Sequence, residues 1–335
     1  MRRKLRKLLI TGGAGFIGSA FVKLLIRDSS LRGQSLIIVD KLTYAGDLKR
    51  LKEVDGKFKF YKADICCKQN INRIFRNEKP DTVVHFAAES HVDRSINNAS
   101  PFIDTNIKGT QVLIDASRKY GARKFIFIST DEVYGEISKG KFNEDSPIKP
   151  NSPYAASKAA ADILTQAYIR TYNFPGIIVR PSNNYGPWQY PEKLIPLSIL
   201  KILKGGKIPV YGKGKNVREW LYVDDCAKGI MSVMKKGKIG MIYNLGSAQE
   251  RANIDTVKLL LKTLRVSQDR IEFVKDRLGH DLRYRLNSDR VKKETGWKPE
   301  VNFEEGLKKT AEWCLLNKEW LFGKWKNIAP LYKNR

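Results

Sequence analysis

Short apolar runs, each ending in a polar or glycine-rich break and followed by a stretch with helical spacing, recur through the first half of the chain. They are Leu8 to Thr11, Leu36 to Asp40, Phe58 to Lys62, Thr82 to Phe86, Phe125 to Ser129 and Gly176 to Arg180. Continuous apolar runs alternating with amphipathic helices predict repeated βα units, hence a parallel sheet covered on both faces. The expected class is α/β, with a doubly wound parallel sheet and a smaller C-terminal domain.

After Arg180 the pattern changes to the loop-rich, aromatic stretch Pro181 to Trp188, which sets the expected boundary. The first domain then covers residues 1–180, with about 221–246 returning to it, and the second covers 181–335. Within the latter the pattern predicts helices over Glu192 to Leu203, Asp224 to Lys235, Asn253 to Leu264, Ser288 to Thr295 and Phe303 to Leu316. Strands are expected around Ile208 to Tyr211, Glu219 to Val223 and Met241 to Leu245. The basic tail after Lys318 is expected to be peripheral.

The first break, Thr11-Gly-Gly-Ala-Gly-Phe-Ile-Gly18, joins an apolar run to an amphipathic one and reads as strand, glycine turn and helix start. Glycine at 12, 15 and 18 allows close backbone approach, and the N–H groups of the new helix point at an anion. A dinucleotide pyrophosphate fits there. The spacing is Gly-x-x-Gly-x-x-Gly rather than the commoner Gly-x-Gly-x-x-Gly, and support comes from Asp40, at the end of the second apolar run. Its carboxylate would accept from the adenosine ribose and repel a 2′-phosphate, which points to NAD rather than NADP.

Ligands of such sheets bind beyond the carboxyl ends of the strands. Polar and small residues accumulate there: Lys41, Leu42, Thr43 and Gly46 after the second strand, Asp64-Ile65 after the third, and Ala87-Ala88-Glu89-Ser90-His91 after the fourth. Asp64-Ile65 would flank an adenine, and the two alanines would let a cofactor lie on the backbone. His85 and His91 have no partner at ligand spacing and read as structural hydrogen-bonders.

The fifth strand ends in Ser129-Thr-Asp-Glu-Val-Tyr-Gly135. Adjacent carboxylates at Asp131 and Glu132 can divide acid and base roles if their environments separate their pKa values. Tyr154 and Lys158, four apart on an expected helix, share a face. An ammonium beside a phenol favours the phenolate, so Tyr154 is expected to titrate below its usual range and to act as a base at a sugar hydroxyl. Arg218, Arg277 and His280 are candidates for gripping a second pyrophosphate.

Composition changes this picture little. The 335 residues are 42% hydrophobic and 29% charged, and the net charge of +27 is spread along the chain, with clusters at Arg2 to Lys7, Lys235-Lys236 and Lys324 to Arg335. Dispersed lysine and arginine without a nucleic-acid motif reads as a solvated surface whose field attracts anionic substrates. No nucleic-acid or membrane partner is expected. Cys66, Cys67, Cys226 and Cys314 lack metal-ligand spacing, so no metal is expected and a reducing cytoplasm fits.

The glycine turn, the Tyr154 and Lys158 pair and Asn183-Asn-Tyr-Gly-Pro187 resemble the extended short-chain dehydrogenase/reductases that act on nucleotide sugars, with a Rossmann-type NAD domain. Asp40-Lys-Leu-Thr-Tyr-Ala-Gly46, Ala87-Ala-Glu-Ser-His-Val-Asp-Arg-Ser95, Ser129 to Gly135, Pro191-Glu-Lys-Leu-Ile-Pro196 and Asp276-Arg-Leu-Gly-His-Asp281 resemble the dTDP-glucose 4,6-dehydratase group within them. The resemblance runs from about Lys7 to Trp313. It implies NAD held by Gly12, Gly15, Phe16, Ile17, Gly18, Asp40, Lys41, Leu42, Thr43, Gly46, Asp64, Ile65, Ala87, Ala88, Ser90, Tyr154 and Lys158. It implies a substrate held by Ser90, Thr130, Asn183, Glu192, Lys193, Leu194, Pro209, Tyr211, Arg218, Asn253, Arg277 and His280. It further implies that Tyr154 serves sugar C4, Glu132 takes the C5 proton and Asp131 protonates the departing C6 hydroxyl, with Thr130 on the C4 oxygen.

A homodimer paired through helices at about Phe102 to Tyr120 and Ser152 to Tyr172 is also implied. A UDP-glucose dehydratase, a nucleotide-sugar epimerase or decarboxylase and, outside enzymes, an NAD-binding regulator are the alternatives. Asp131 argues against the epimerase and the decarboxylase, which typically lack it. The presence of Tyr154, Lys158, Asp131 and Glu132 together argues against the regulator.

Overall fold

The computed structural model describes residues 7–332 apart from Arg32; the basic N-terminal cluster up to Arg6 and the last three residues lie outside it. The first half alternates as the pattern requires: β1 (Lys7–Thr11), α1 (Phe16–Arg27), β2 (Ser35–Asp40), β3 (Lys59–Lys62), α2 (Lys68–Glu78), β4 (Thr82–His85), α3 (Val92–Asn97), α4 (Ser100–Phe102), α5 (Gly109–Lys119), β5 (Lys124–Ile128), α6 (Pro153–Tyr172) and β6 (Gly176–Pro181). The second half holds β7 (Asn183–Tyr185), α7 (Leu194–Leu203), β8 (Ile208–Tyr211), β9 (Val217–Tyr222), α8 (Val223–Lys236), β10 (Ile242–Leu245), β11 (Glu250–Ala252), α9 (Asn253–Leu264), β12 (Ile271–Val274), α10 (Asp289–Thr295), α11 (Phe303–Leu316) and α12 (Lys318–Ile328).

Seven strands form one parallel sheet in the order β10-β6-β5-β4-β1-β2-β3. Side chains alternate across it: Leu8 and Ile10 pack with Phe21, Ile230 and Trp297 on one face, while Leu9 packs with Phe75, Leu113 and Phe125 on the other. Neither face is left to water, which is why these strands read as unbroken apolar runs. The return of β10 to the sheet puts α8 and α10 over the first face.

A smaller lobe is built on β11-β9-β7 and β12-β8, with α7, α9, α11 and α12 packed around Tyr185, Trp220, Phe303 and Leu321. Three expectations are corrected here. The loop expected over Pro181 to Trp188 contains β7, because the Asn183–Tyr185 backbone pairs with Trp220–Tyr222 of β9. The helix expected from Phe102 is interrupted by a π-helical stretch, Ile103–Lys108. The tail after Lys318 is not peripheral: Trp320, Leu321 and Ile328 are buried in the lobe core, and Trp320 meets Trp188 and Trp313 at 5.3 and 5.5 Å between ring centroids.

Candidate functional site

A cleft of about 390 Å³ opens at the carboxyl ends of β1, β4 and β5, between the sheet and the smaller lobe. The glycine turn forms one end. Gly12 has φ +68°, and a Cβ there would lie 2.6 Å from the Ala87 nitrogen; a Cβ on Gly18 would run into the Gly12 carbonyl. The turn is therefore as close to its neighbours as a backbone can come. Gly15 starts α1 with no side chain capping the helix and no acid in its first turn, so the free N–H groups there suit an anion.

Asp40 is buried, and its carboxylate accepts from the N–H of Ala14 at 3.0 Å and of Leu42 at 2.8 Å. Burial nevertheless raises its pKa. Lys41 does not offset the Asp40 charge directly, because its Nζ pairs with Asp64 Oδ2 at 2.7 Å. Gly12, Gly15, Phe16, Ile17, Gly18, Ala88, Ser90, Tyr154 and Lys158 line the cleft, whereas Asp40, Lys41, Leu42, Thr43, Gly46, Asp64, Ile65 and Ala87 do not. The second group stands at the ends of β2, β3 and β4, and Ala87 lies directly behind Gly12. A buried carboxylate at the end of β2, a side-chain-free turn and an uncapped helix start fit a dinucleotide.

The catalytic candidates meet at mid-cleft. Thr130 caps the short 3₁₀ turn after β5, its Oγ1 accepting from the Glu132 N–H at 3.3 Å. Asp131 is 1% exposed; its Oδ1 accepts from the Thr130 hydroxyl at 3.2 Å, and its Oδ2 is buried without a partner. Burial, then the charges of Glu132 and Glu219, push its pKa well above the usual aspartate value. Burial raises Glu132 too, but Arg277, Lys193 and Arg218 oppose the rise. Two neighbouring carboxyls are thus held in different environments: two acids and one cation, Arg218, act on Asp131, and three cations and one acid, Asp281, act on Glu132.

Ser152 caps α6 through the Ala155 N–H and sets Tyr154 on its first turn. Here an expectation fails. Burial and then Glu132 raise the Tyr154 pKa, and burial lowers that of Lys158 to about 7. Lys158 Nζ donates to the Ile128 carbonyl at 2.6 Å instead of supporting the phenol. The hydroxyl of Thr130, by hydrogen bonding, is what opposes the rise at Tyr154.

All twelve expected substrate contacts, Ser90, Thr130, Asn183, Glu192, Lys193, Leu194, Pro209, Tyr211, Arg218, Asn253, Arg277 and His280, line the same cleft. Glu192 is already engaged, accepting from Tyr44 Oη and from Arg94 Nε, each at 3.0 Å. Lys193 donates to the Ser90 carbonyl at 3.0 Å, joining the two lobes. Arg218, buried, donates to the carbonyls of Val217 and Asp281 and lies 4.5 Å from the Tyr284 ring centre.

His280 departs from the pyrophosphate role. Burial and then Arg277 depress its pKa to about 4, so it is neutral at pH 7. Its Nδ1 lies 2.7 Å from Asp276 Oδ1, and because an ionised carboxylate only accepts, Nδ1 carries the proton. Nε2 is then an acceptor, suited to a hydroxyl and not to a phosphate oxygen. His85 is bonded on both nitrogens, to Thr11 and Thr110, as the structural reading expected.

Buried polar atoms of Ser129, Asp131, Ser182 and Asn183 have no partner within the protein, and all four residues face the cleft, so a polar ligand suits this wall. Sequence reasoning missed Tyr284 and Arg50. Tyr284 follows the Asp276 to Asp281 motif and donates to Asp281. Arg50 sits in a Lys-Arg-Leu-Lys run that looks like an exposed helix face, and nothing local marks it as buried.

The strand order 3-2-1-4-5-6-10, the glycine turn after β1 and the Tyr154/Lys158 helix define an extended short-chain dehydrogenase/reductase. The sequence model described as GDP-mannose 4,6 dehydratase matches residues 9–310. The chain belongs to that family. Its relatives include a dTDP-glucose 4,6-dehydratase of Neisseria meningitidis serogroup B, 45% identical over 97% of this chain and 96% of the relative. A solved dTDP-glucose 4,6-dehydratase of Streptomyces venezuelae with NAD bound superposes with a TM-score of 0.92, at 45% identity over 95% of this chain and 99% of that one. A UDP-glucose 4-epimerase of Thermotoga maritima shares the fold at TM-score 0.86 and 32% identity, covering 93% and 99%.

Proposed function

We propose that this chain is a NAD-dependent dTDP-glucose 4,6-dehydratase, a hydro-lyase that yields the 4-keto-6-deoxy sugar nucleotide. The observation that carries the reading is Asp131, a buried carboxyl with one oxygen unpartnered, set beside a second carboxyl and lining the same cleft as Tyr154 and Lys158. An epimerase has no use for a protonated acid at that point.

Glycines 12, 15 and 18 and the start of α1 would hold the cofactor's diphosphate, with Asp40 on the adenosine ribose. Bound there, the nicotinamide would accept a hydride from sugar C4 and return it to C6. The chain's own residues handle protons. Tyr154 Oη would take the C4 hydroxyl proton as an ionised phenol, a state that burial and Glu132 oppose and that the positive charge of a bound nicotinamide would favour, and Thr130 Oγ1 bonds that oxygen. The resulting ketone acidifies C5, and a Glu132 carboxylate oxygen removes the C5 proton. Asp131, protonated, donates to the C6 hydroxyl as the C–O bond breaks, so the group leaves as water, and Glu132 gives its proton back to C5 when the hydride returns to C6. Lys158, Ser90 and Asn183 orient the bound ligands, while Arg218 and Arg277 oppose the substrate's negative charge.

Incubation with dTDP-glucose and UDP-glucose side by side tests this. The expected product is the dTDP sugar lighter by one water, and a product of unchanged mass with inverted C4 would replace the reading with epimerisation. Cofactor extracted from the purified protein is expected to be NAD(H), since Asp40 would repel a 2′-phosphate; recovery of NADP(H) would reject that part.

A homodimer belongs to the same reading. Ile103, 53% exposed, and Ile163, 49% exposed, lie on the outward faces of the two segments expected to pair. A monomeric mass by light scattering at micromolar concentration would reject it. The domain division at residue 180 and a cytoplasmic location, where nucleotide sugars and NAD are at hand, complete the proposal. No helix among the described residues is long and apolar enough to cross a membrane.

A further inference from the structure

Arg50 is 1% exposed, and backbone carbonyls alone satisfy its guanidinium. Nη1 donates to Ala14 at 2.9 Å and Ala45 at 2.6 Å, while Nε and Nη2 donate to Trp188 at 3.2 and 3.0 Å. Carbonyls supply dipoles but no counter-charge. The carboxylates of Asp47 and Asp40 act on it only through space, and the Trp320 ring centre lies 5.5 Å away. Burial lowers its pKa only to about 10, so it remains a cation at neutral pH. A buried cation without a bonded anion is costly unless an anion comes to it.

The three carbonyls show where that anion belongs. Ala14 is in the glycine turn, Ala45 is in the loop after β2, and Trp188 comes from the opposite lobe. Arg50 lines the cleft together with Gly12, Gly15, Gly18 and Ala45. Other cleft cations are tied elsewhere: Lys158 to Ile128, Lys193 to Ser90, Arg218 to Asp281, and Arg277 toward Asp93 at 3.9 Å. Arg50 is thus the one cation among the described lining residues held at the glycine end. The helix start alone offers about half an elementary charge against the two of a diphosphate.

We propose that Arg50 is a charge-compensating and positioning residue for the cofactor, balancing the diphosphate while tying together the three segments that surround it. This rests on the reading of the cleft as a NAD site. Calorimetric titration of the full-length chain with ADP and with adenosine separates the charge from the scaffold. Arg50→Gln is expected to weaken ADP about tenfold or more and adenosine less than about twofold, and Arg50→Lys to restore ADP to within about threefold. Equal losses for the two ligands, as a purely structural arginine would give, would overturn the proposal, as would an Arg50→Lys variant no better than Arg50→Gln. Should Arg50→Gln not fold, Arg50→Lys decides alone: ADP affinity within about threefold of wild type supports the role, and a loss of about tenfold or more rejects it. A wild-type chain that bound neither ADP nor NAD would reject the cofactor reading itself.

Discussion

Trp320 and Asp47 stand 273 positions apart in sequence, and the indole Nε1 of Trp320 donates to Asp47 Oδ2 at 2.9 Å. Lys324 pairs with the same oxygen at 2.7 Å, and the Asp47 N–H donates to the Ala14 carbonyl at 3.0 Å. The last helix is therefore fastened to the loop that borders the glycine turn.

Removing that indole should be expensive. Trp320→Ala deletes a large buried ring packed on Trp188 and Trp313, and a loss of about 3–5 kcal/mol is expected. Trp320→Phe keeps much of the packing but leaves the Asp47 oxygen to Lys324 alone, and should cost less. Urea denaturation of both variants checks the order; a Trp320→Ala variant as stable as wild type would return the tail to the periphery.

The two carboxyls after β5 should fail in different ways. Glu132→Gln is expected to allow oxidation at C4 but to block loss of the C5 proton. Asp131→Asn should let Glu132 exchange the C5 hydrogen with deuterated solvent faster than water is lost. Transient NADH absorbance and C5 deuterium content, read on the same samples, distinguish the roles, and equal exchange in both variants would reject them.

Lys158 gives a pH signature in stability. Its folded pKa, about 7, is below the usual lysine value of 10.5, so between these values the unfolded chain binds more protons at this site. Stability therefore rises with pH in that window, by up to about 1.4 kcal/mol per unit from this group. Lys158→Met should flatten the slope between pH 7 and 9 relative to wild type while abolishing turnover. Parallel slopes in the two proteins would contradict the burial argument.

On the substrate side, Arg277→Ala is expected to weaken nucleotide-sugar binding by about 1.5–3 kcal/mol and to leave NAD content unchanged. His280→Ala should cost about 0.5–1.5 kcal/mol, and its effect should be the same at pH 6 and pH 8, because the imidazole is neutral at both. A loss confined to low pH would restore the charged, phosphate-binding histidine.

Much of this was legible locally. The helices Asn253–Leu264 and Phe303–Leu316 have the expected bounds because apolar spacing and, for the second, the Asn302 cap are written in neighbouring residues. The candidate site was legible for the same reason: its residues sit in contiguous motifs at strand ends, and the fold brings those ends together. Partners far along the chain were not legible. β7 exists because β9 pairs with it, α12 is buried because three tryptophans from separate segments meet, and Arg50 is buried because carbonyls from three segments converge on it. The raised Tyr154 pKa has the same origin, since it comes first from burial and then from carboxyls that belong to another segment.

The turn after β5 has one more implication. Thr130, Asp131 and Glu132 are consecutive, and the segment is anchored at both ends by groups that take no part in chemistry: the Ser129 N–H on the Val179 carbonyl, and the Val133 carbonyl on the Lys149 N–H. The three residues proposed to act on the sugar therefore form one consecutive run, and neither of the backbone bonds that hold it depends on their side chains. On the proposed roles, a change at 131 or 132 is expected to alter the proton transfers while those two anchors stay in place, so one scaffold would be retuned to a neighbouring reaction through a three-residue cassette.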